Sequence, residues 1–551
     1  MALRTSAVRK AVQQQTRFAM PIGGLNYVND TMSFPDTDAY VLDNAIPRTF
    51  GLEIRKGWRY WVPEVSKFSG AVRSILVHND EIDIYSALFA SPASDGNIYD
   101  ITTQGAIPVL GLTPSTPSDV PGEWYSCNFT NEAGNVMCVV SAGAGYYTYS
   151  VDDLGVKTWS EKVIGAGAGF IQFPPGDTTT TKDFCFIWVW KNRIWFLKKN
   201  SSVAYYLPLL SLTGLVTAFD FGQQLSRGGA LAFGANWTYD AGNGIDDSFV
   251  VVSEQGEVLI YQGTDPDQAA EFQIKGRWYM GRPPYGRRGF CENGGDLFFL
   301  SEYGLVRASD LVSGRLNTTD MTGGPGFKIN PMLSTRVSQF NNNLYWSLTP
   351  YPTEEIIVMG TPILTEIEDL RIHLVMNVIN SAWCTISQFP ILSAKLWRGK
   401  FIFGSELGEV AQGFVGAADG VSADGTLAGD PVTARFQTGF NAYNAPNFNK
   451  RMLRIKLYGL AASDPTYFAR FRSEYDLSSF ITAPSPTGAE TSLWDIAIWD
   501  QNLWGSGGGS FRQWFGALGW GKKLSLQMAV RGSSRTTLTD YESLFETGIG
   551  L

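Results

Sequence analysis

At 551 residues the chain exceeds what one hydrophobic core supports, so it needs several domains or one large repeat architecture. With 59 glycines, 26 prolines, 13% aromatic and only 17% charged residues, it is poor material for helix bundles and suits many short strands joined by tight turns. A net charge of −9 argues against tight sequence reading of DNA, which needs a clustered excess of Lys and Arg, and does not exclude a channel whose mildly acidic wall lets DNA slide. The five cysteines (Cys127, Cys138, Cys185, Cys291, Cys384) are odd in number and lack C-x-x-C spacing, which predicts buried free thiols and no zinc site or disulfide framework. With only His78 and His373, there is almost no material for a histidine metal site or a Ser-His-Asp triad. No apolar run approaches the ~18 residues of a membrane span.

In chain order, the N-terminus carries Arg4, Arg9, Lys10 and Arg17 without an apolar segment, so it reads as a basic arm and not as a signal peptide, with synthesis in a cytoplasm. Fixed-geometry residues then crowd residues 18–61. Pro21, Gly23 and Gly24 open a turn, Pro35-Asp36 starts another, and Ile46-Pro47 excludes helix at the residue before the proline, placing Asp43-Asn44 and Arg48 at turn corners. The spacing predicts an extended clamp, with at most one helical turn at 37–42.

From about residue 70 to 425 an apolar strand, a short turn and another apolar strand recur. Three turns share one pattern: Ser253-Glu254-Gln255-Gly256, Ser301-Glu302-Tyr303-Gly304 and Ser405-Glu406-Leu407-Gly408. The first two begin 48 residues apart and the third follows after 104, leaving room for one degenerate unit, LYWSL-TPYPTE-EIIVM at 344–359. Counting back finds VAYYL after Lys199-Asn200, the turn from Asp152 to Gly155 before Trp159, and IYDI after Ser94-Asp95-Gly96. Hairpins at a period of roughly 50 residues indicate a β-propeller of six or seven blades, because a lone blade cannot bury both faces and must stack on its neighbours. Glu254, Glu302 and Glu406 become turn-tip carboxylates spread around one rim, unsuited to pairing.

Near residue 430 the pattern changes. VTARFQTGF, KRMLRIKLYGL, FARFRSEYDL and KKLSLQMAV alternate in period two, with Leu453, Ile455 and Leu457 predicted on one face and Arg454, Lys456 and Tyr458 on the other. Between these strands Trp494, Trp499 and Trp504 recur every five residues, a spacing that makes no stripe on helix or strand; they read as inward-packed rings in repeated turns. The organisation expected is all-β: an N-terminal arm and platform segment (1–64), a six- or seven-bladed propeller-like domain (65–428), and a C-terminal β-rich platform segment (429–551) that lies with the first.

The ordered set Gly23-Gly24-Leu25-Asn26, Asp38-Ala39, Leu42-Asp43-Asn44, Pro47-Arg48 and LEIRKG at 52–57 resembles the opening of the tail nozzle (tail tubular or stabilisation) proteins of short-tailed, podovirus-type bacteriophages. The W-D…W-D…W string, GALGWG at 516–521, Asp540-Tyr541-Glu542 and the closing GIGL resemble that family's C-terminus. The resemblance implies a structural virion protein: a homohexameric ring at the distal tail tube, attached to a head-tail adaptor and flanked by tail fibres or spikes, that retains the genome and conducts DNA during ejection. It implies no catalytic, cofactor or metal site.

Two other chemistries deserve weighing. YSVDDLGVKTW at 149–159 approaches the turn of sialidase-type propellers, so a glycan-binding or glycan-cleaving propeller is the alternative; such an enzyme also wants convergent arginines and an acid. The arginine-rich stretch KGRWYMGRPPYGRRGF, with Lys275, Arg277, Arg282, Arg287 and Arg288, contains no acid and comes from one contiguous segment. It reads as a docking surface between subunits or towards fibres, as a passing contact to DNA phosphates, or as a solvated inter-blade loop.

Overall fold

The computed structural model describes residues 12–548 except 30–33, 133, 241–244, 269, 316–323, 364–370, 462–464, 474, 477–508 and 533–534. The sequence Trp494, Trp499 and Trp504 lies outside these described residues, as do Arg4, Arg9 and Lys10. Among the described residues no helix is long and apolar enough to cross a membrane.

Seven sheets stand in a closed ring. In blades 1 to 4 each sheet is a four-stranded meander whose first strand is innermost: Val72–His78, Tyr125–Asn131, Phe184–Trp190 and Leu231–Asp240. Blade 5 has three strands from Phe290–Asn293 onward and then a short helix, Ala308–Val312. Blade 6 begins at Ser347–Tyr351 and blade 7 at Ser393–Trp397. Neighbouring inner strands are stitched by side chains. Asn128 and Asn236 occupy equivalent places, each donating its Nδ2 to the inner strand of the preceding blade, at Val77 O (3.1 Å) and Val189 O (2.7 Å). Ser393 Oγ bonds Val72 O at 2.9 Å, joining blade 7 to blade 1.

Each of the seven hairpins read from the sequence falls in a different blade, so the count is seven. Two were one strand out of register. The Asp152 turn joins the third and fourth strands of blade 2, and the 352–355 turn joins the first and second of blade 6. The Ser-Glu-x-Gly turns link second to third strands. Their serine hydroxyl accepts backbone N–H groups inside the turn, Leu407 N at 3.1 Å and Glu409 N at 3.0 Å from Ser405, and their glycine is left-handed.

The ring is closed by the N-terminal segment. Trp58–Tyr60 pairs antiparallel with Val410–Gly413 as the fourth strand of blade 7, so these residues belong to the propeller and not to the platform. Residues before them form the platform with the C-terminal segment. One sheet contains Ala45–Arg48, Gly51–Ile54, Thr536–Thr547, Lys450–Ala461 and Gly509–Gly521, with Val12–Ala19 along its edge. The other contains Asp38–Asp43, Thr433–Thr438, Leu524–Arg531 and Thr466–Ser473, and it continues directly from the outer strand of blade 6, Trp383–Ile386. Residues 38–43 are thus a strand and not a helical turn, because they lie between two sheet partners that satisfy their backbone. In Lys450–Ala461 a bulge between Met452 and Arg454 shifts the alternation, so Met452, Ile455 and Leu457 are buried and Leu453 is only half-buried. A single hydrophobic core runs from this sandwich through blades 6 and 7 into blade 5.

The junction is built from the residues that crowd the N-terminal clamp. Arg55, fully buried, forms two 2.7 Å bonds to Asp419 and one of 2.7 Å to Asn44 Oδ1, and also donates to Ser387 O at 2.8 Å. Asn44 sits at φ 57° and donates to Thr433 O (3.0 Å) and Ser387 Oγ (3.1 Å). Arg48 bridges Glu53 and Glu354, both at 2.8 Å. Gly24 is left-handed and a Cβ there would lie 2.6 Å from Trp383 N, so only glycine lets the two segments approach.

Two stability outcomes follow. Gly408 has φ +82° and a Cβ would lie 1.9 Å from Phe68 O, so Gly408→Ala should cost about 1–3 kcal/mol in urea unfolding, more than Gly399→Ala, whose Cβ meets nothing within 4 Å. Arg55→Met strands Asp419 in the junction and should cost about 3–5 kcal/mol, whereas the paired Arg55→Met/Asp419→Leu should recover much of it.

Candidate functional site at the propeller axis

The inner strands of all seven blades enclose an axial cavity of about 480 Å³. It has polar side chains at several heights: Asn128, Asn236, Glu292, Thr349 and Lys395 from inner strands, and Arg287 and Arg288 from the connection between blades 4 and 5. That connection carries Pro283 and Pro284, both buried, and left-handed Gly281 and Gly286, which together turn the chain inward. Its backbone is tied down by Tyr285 N to Asn341 O (2.5 Å) and by Arg288 O, which accepts Leu348 N at 2.9 Å.

Arg288 spans the axis. From blade 5 it donates to Arg73 O at 2.5 Å, to Ser74 Oγ at 2.8 Å and to Trp124 O at 3.4 Å, all on the far side in blades 1 and 2, and its guanidinium lies 5.4 Å from the Tyr125 ring. Arg287 points into a smaller hollow of about 130 Å³ with Glu123, Tyr125 and Cys185. Burial pushes the Tyr125 hydroxyl and the Cys185 thiol up.

The five basic residues singled out in the sequence are therefore divided. Lys275, Arg277 and Arg282 are exposed on the outside of blade 4, with Arg277 bonded to Gln224 O at 2.9 Å. Arg287 and Arg288 are not part of an outer docking face or a solvated loop. The proline-glycine turn carries them inward, where buried carbonyls of opposing blades need donors.

Two cavity residues carried weaker sequence signals. Lys395 lies in LSAKLW, a charge inside an otherwise apolar strand, which marks an inward-facing polar position once that strand is known to be innermost. Its side chain is exposed on the cavity side, yet the protein around the amine desolvates it enough, with Arg288 adding, to hold its pKa below the lysine norm. Glu292 is the one carboxylate among the described residues lining the cavity, and burial raises its pKa. A hydrolytic carboxylate pair is not assembled there.

The turn-tip carboxylates do not converge. Glu302 accepts Tyr279 Oη at 3.4 Å, Glu406 pairs with Arg371, and Glu254 stands near Arg287. Among the described residues no group of three or more His, Cys, Asp or Glu could hold a metal ion. The five cysteines are free; Cys127 and Cys138 face each other on adjacent strands of blade 2.

No family model matches the chain, and no curated protein matches it in sequence. Among solved structures it is similar to the computationally designed Ika8 protein, at 9% identity and a TM-score of 0.36, over 65% of this chain and 100% of that one.

The two histidines lie in the core. Burial lowers the His373 pKa from the ordinary 6.5 to about 3, helped by Arg371, and lowers that of His78. A histidine kept neutral when folded binds fewer protons than when unfolded, so its stabilisation is complete above pH 6.5 and is lost as pH falls towards 3. Wild type should lose on the order of a few kcal/mol across that window, and His373→Gln should show a shallower acid limb in melting temperature against pH.

Proposed function

We propose that this protein is a structural virion subunit, the nozzle of a short-tailed phage tail, which assembles as a ring of six copies. The ring retains the packaged genome and conducts DNA during ejection. The observation that carries this reading is the fate of the N-terminal residues that resemble the nozzle family. Gly24, Asn44, Arg48 and Arg55 are spent on joining propeller to platform, a mechanical role that suits a load-bearing subunit.

The propeller's own axis is bridged by Arg288 and holds only about 480 Å³, so the conduit belongs between subunits of the ring and not through a single propeller. The head-tail adaptor and the fibres or spikes would meet outer faces. Lys275 and Arg282, exposed on a chain of net charge −9, are the candidates for a subunit or fibre contact.

Light scattering and negative-stain microscopy of the purified protein test the reading. The outcome that supports it is a ring with an open lumen, and Lys275→Glu/Arg282→Glu should weaken assembly about tenfold or more while the monomer melts normally. A chain that stays monomeric at every concentration, with or without adaptor, would remove the nozzle reading; binding to a glycan array would then favour a glycan-binding propeller.

A further inference from the structure

The axial cavity holds a charge imbalance that the assembly role does not use. Lys395 reaches it from the inner strand of blade 7, and Arg288 from the connection opposite. Arg288 spends three hydrogen bonds on neutral oxygens, two backbone carbonyls and a serine hydroxyl. A guanidinium has five N–H donors, so its capacity is not exhausted. Among the described residues Lys395 makes no hydrogen bond or ion pair, and the charge acting on it is that of Arg288, another cation. Glu292, the lining carboxylate, forms no ion pair with either cation among the described residues. Arg288 is half-buried and Lys395 is exposed to the cavity; two like charges facing one space repel, which an anion between them relieves, and a cavity of about 480 Å³ is of the size that takes small ligands.

We propose that the axial cavity is a binding site for a small oxyanion, a phosphate- or carboxylate-bearing molecule held between Arg288 and Lys395. The guanidinium is fixed in position by Arg73 O and Ser74 Oγ, so it offers its remaining donors without reorganising, while the flexible ammonium closes on the other side of the anion. Occupancy would tie blades 1, 2, 5 and 7 together through one charge centre.

Isothermal titration of the intact protein with inorganic phosphate, and separately with acetate and citrate, against chloride at matched ionic strength tests this. One of these oxyanions should bind and raise the melting temperature beyond chloride, and the responding arm identifies the head group. Lys395→Met should weaken that binding about tenfold or more. In chloride alone it should melt no lower than wild type, because it removes a repelled charge; this comparison separates lost binding from lost folding. Arg288→Lys keeps the charge but loses the planar fork, and should also weaken binding. The proposal is overturned if no oxyanion gives a response beyond chloride, or if Lys395→Met binds as tightly as wild type.

Discussion

Everything in this molecule hangs on the buried contact between Arg55 and Asp419. Both side chains leave water, which costs several kcal/mol per ion, and the cost is offset only because every donor of the guanidinium finds an acceptor in fixed geometry. Those acceptors come from three places: the clamp itself (Asn44, Lys56), the loop after blade 6 (Ser387) and the strand beyond blade 7 (Asp419). Such a centre is satisfied in one relative placement of propeller and platform, and any other strands a charge. It therefore acts as a registry device more than as a source of net stability.

Around it the hydrophobic core provides the bulk of the stabilisation and carries no comparable directionality. The sandwich strands bury Met452, Ile455 and Leu457 against Leu526, Met528 and Phe545, and the same cluster continues into Trp383 and Phe401 of blades 6 and 7. Blade 6 shares its sheet with the platform, so the joint is both hydrogen-bonded along strands and packed across them. A joint made this way transmits force without a hinge at that point.

The two ends of the basic stretch show how one local composition serves different needs. Lys275 and Arg282 stay in water, where a charge costs nothing to keep and steers association. Arg288, six residues from Arg282, crosses the axis because carbonyls at the starts of the inner strands in blades 1 and 2 have no ladder partner there. A propeller of seven blades leaves a void along its axis that side chains must line, and here the lining is cationic.

The sequence by itself determined the all-β class, the seven hairpins and the strands at either end, because these depend on local periodicity, on glycine and proline geometry and on short turns whose serine hydroxyl bonds its own backbone. It also located the crowded clamp, whose Asn44 and Gly24 were visible as turn residues. Only the tertiary structure decided what that clamp holds. Asp419 lies 364 residues from Arg55, and no local pattern encodes such a pairing. Strand 58–60 looked like the end of an arm and became the closing strand of blade 7, since an unpaired edge on Val410–Gly413 was the nearest partner for its backbone. The bulge at Met452 moved Leu453 off the core, and the inward path of Arg287 and Arg288 depended on two prolines between two left-handed glycines and on acceptors in distant blades. Period and turn chemistry act over a few residues, whereas charge satisfaction and ring closure are properties of the whole assembled ring.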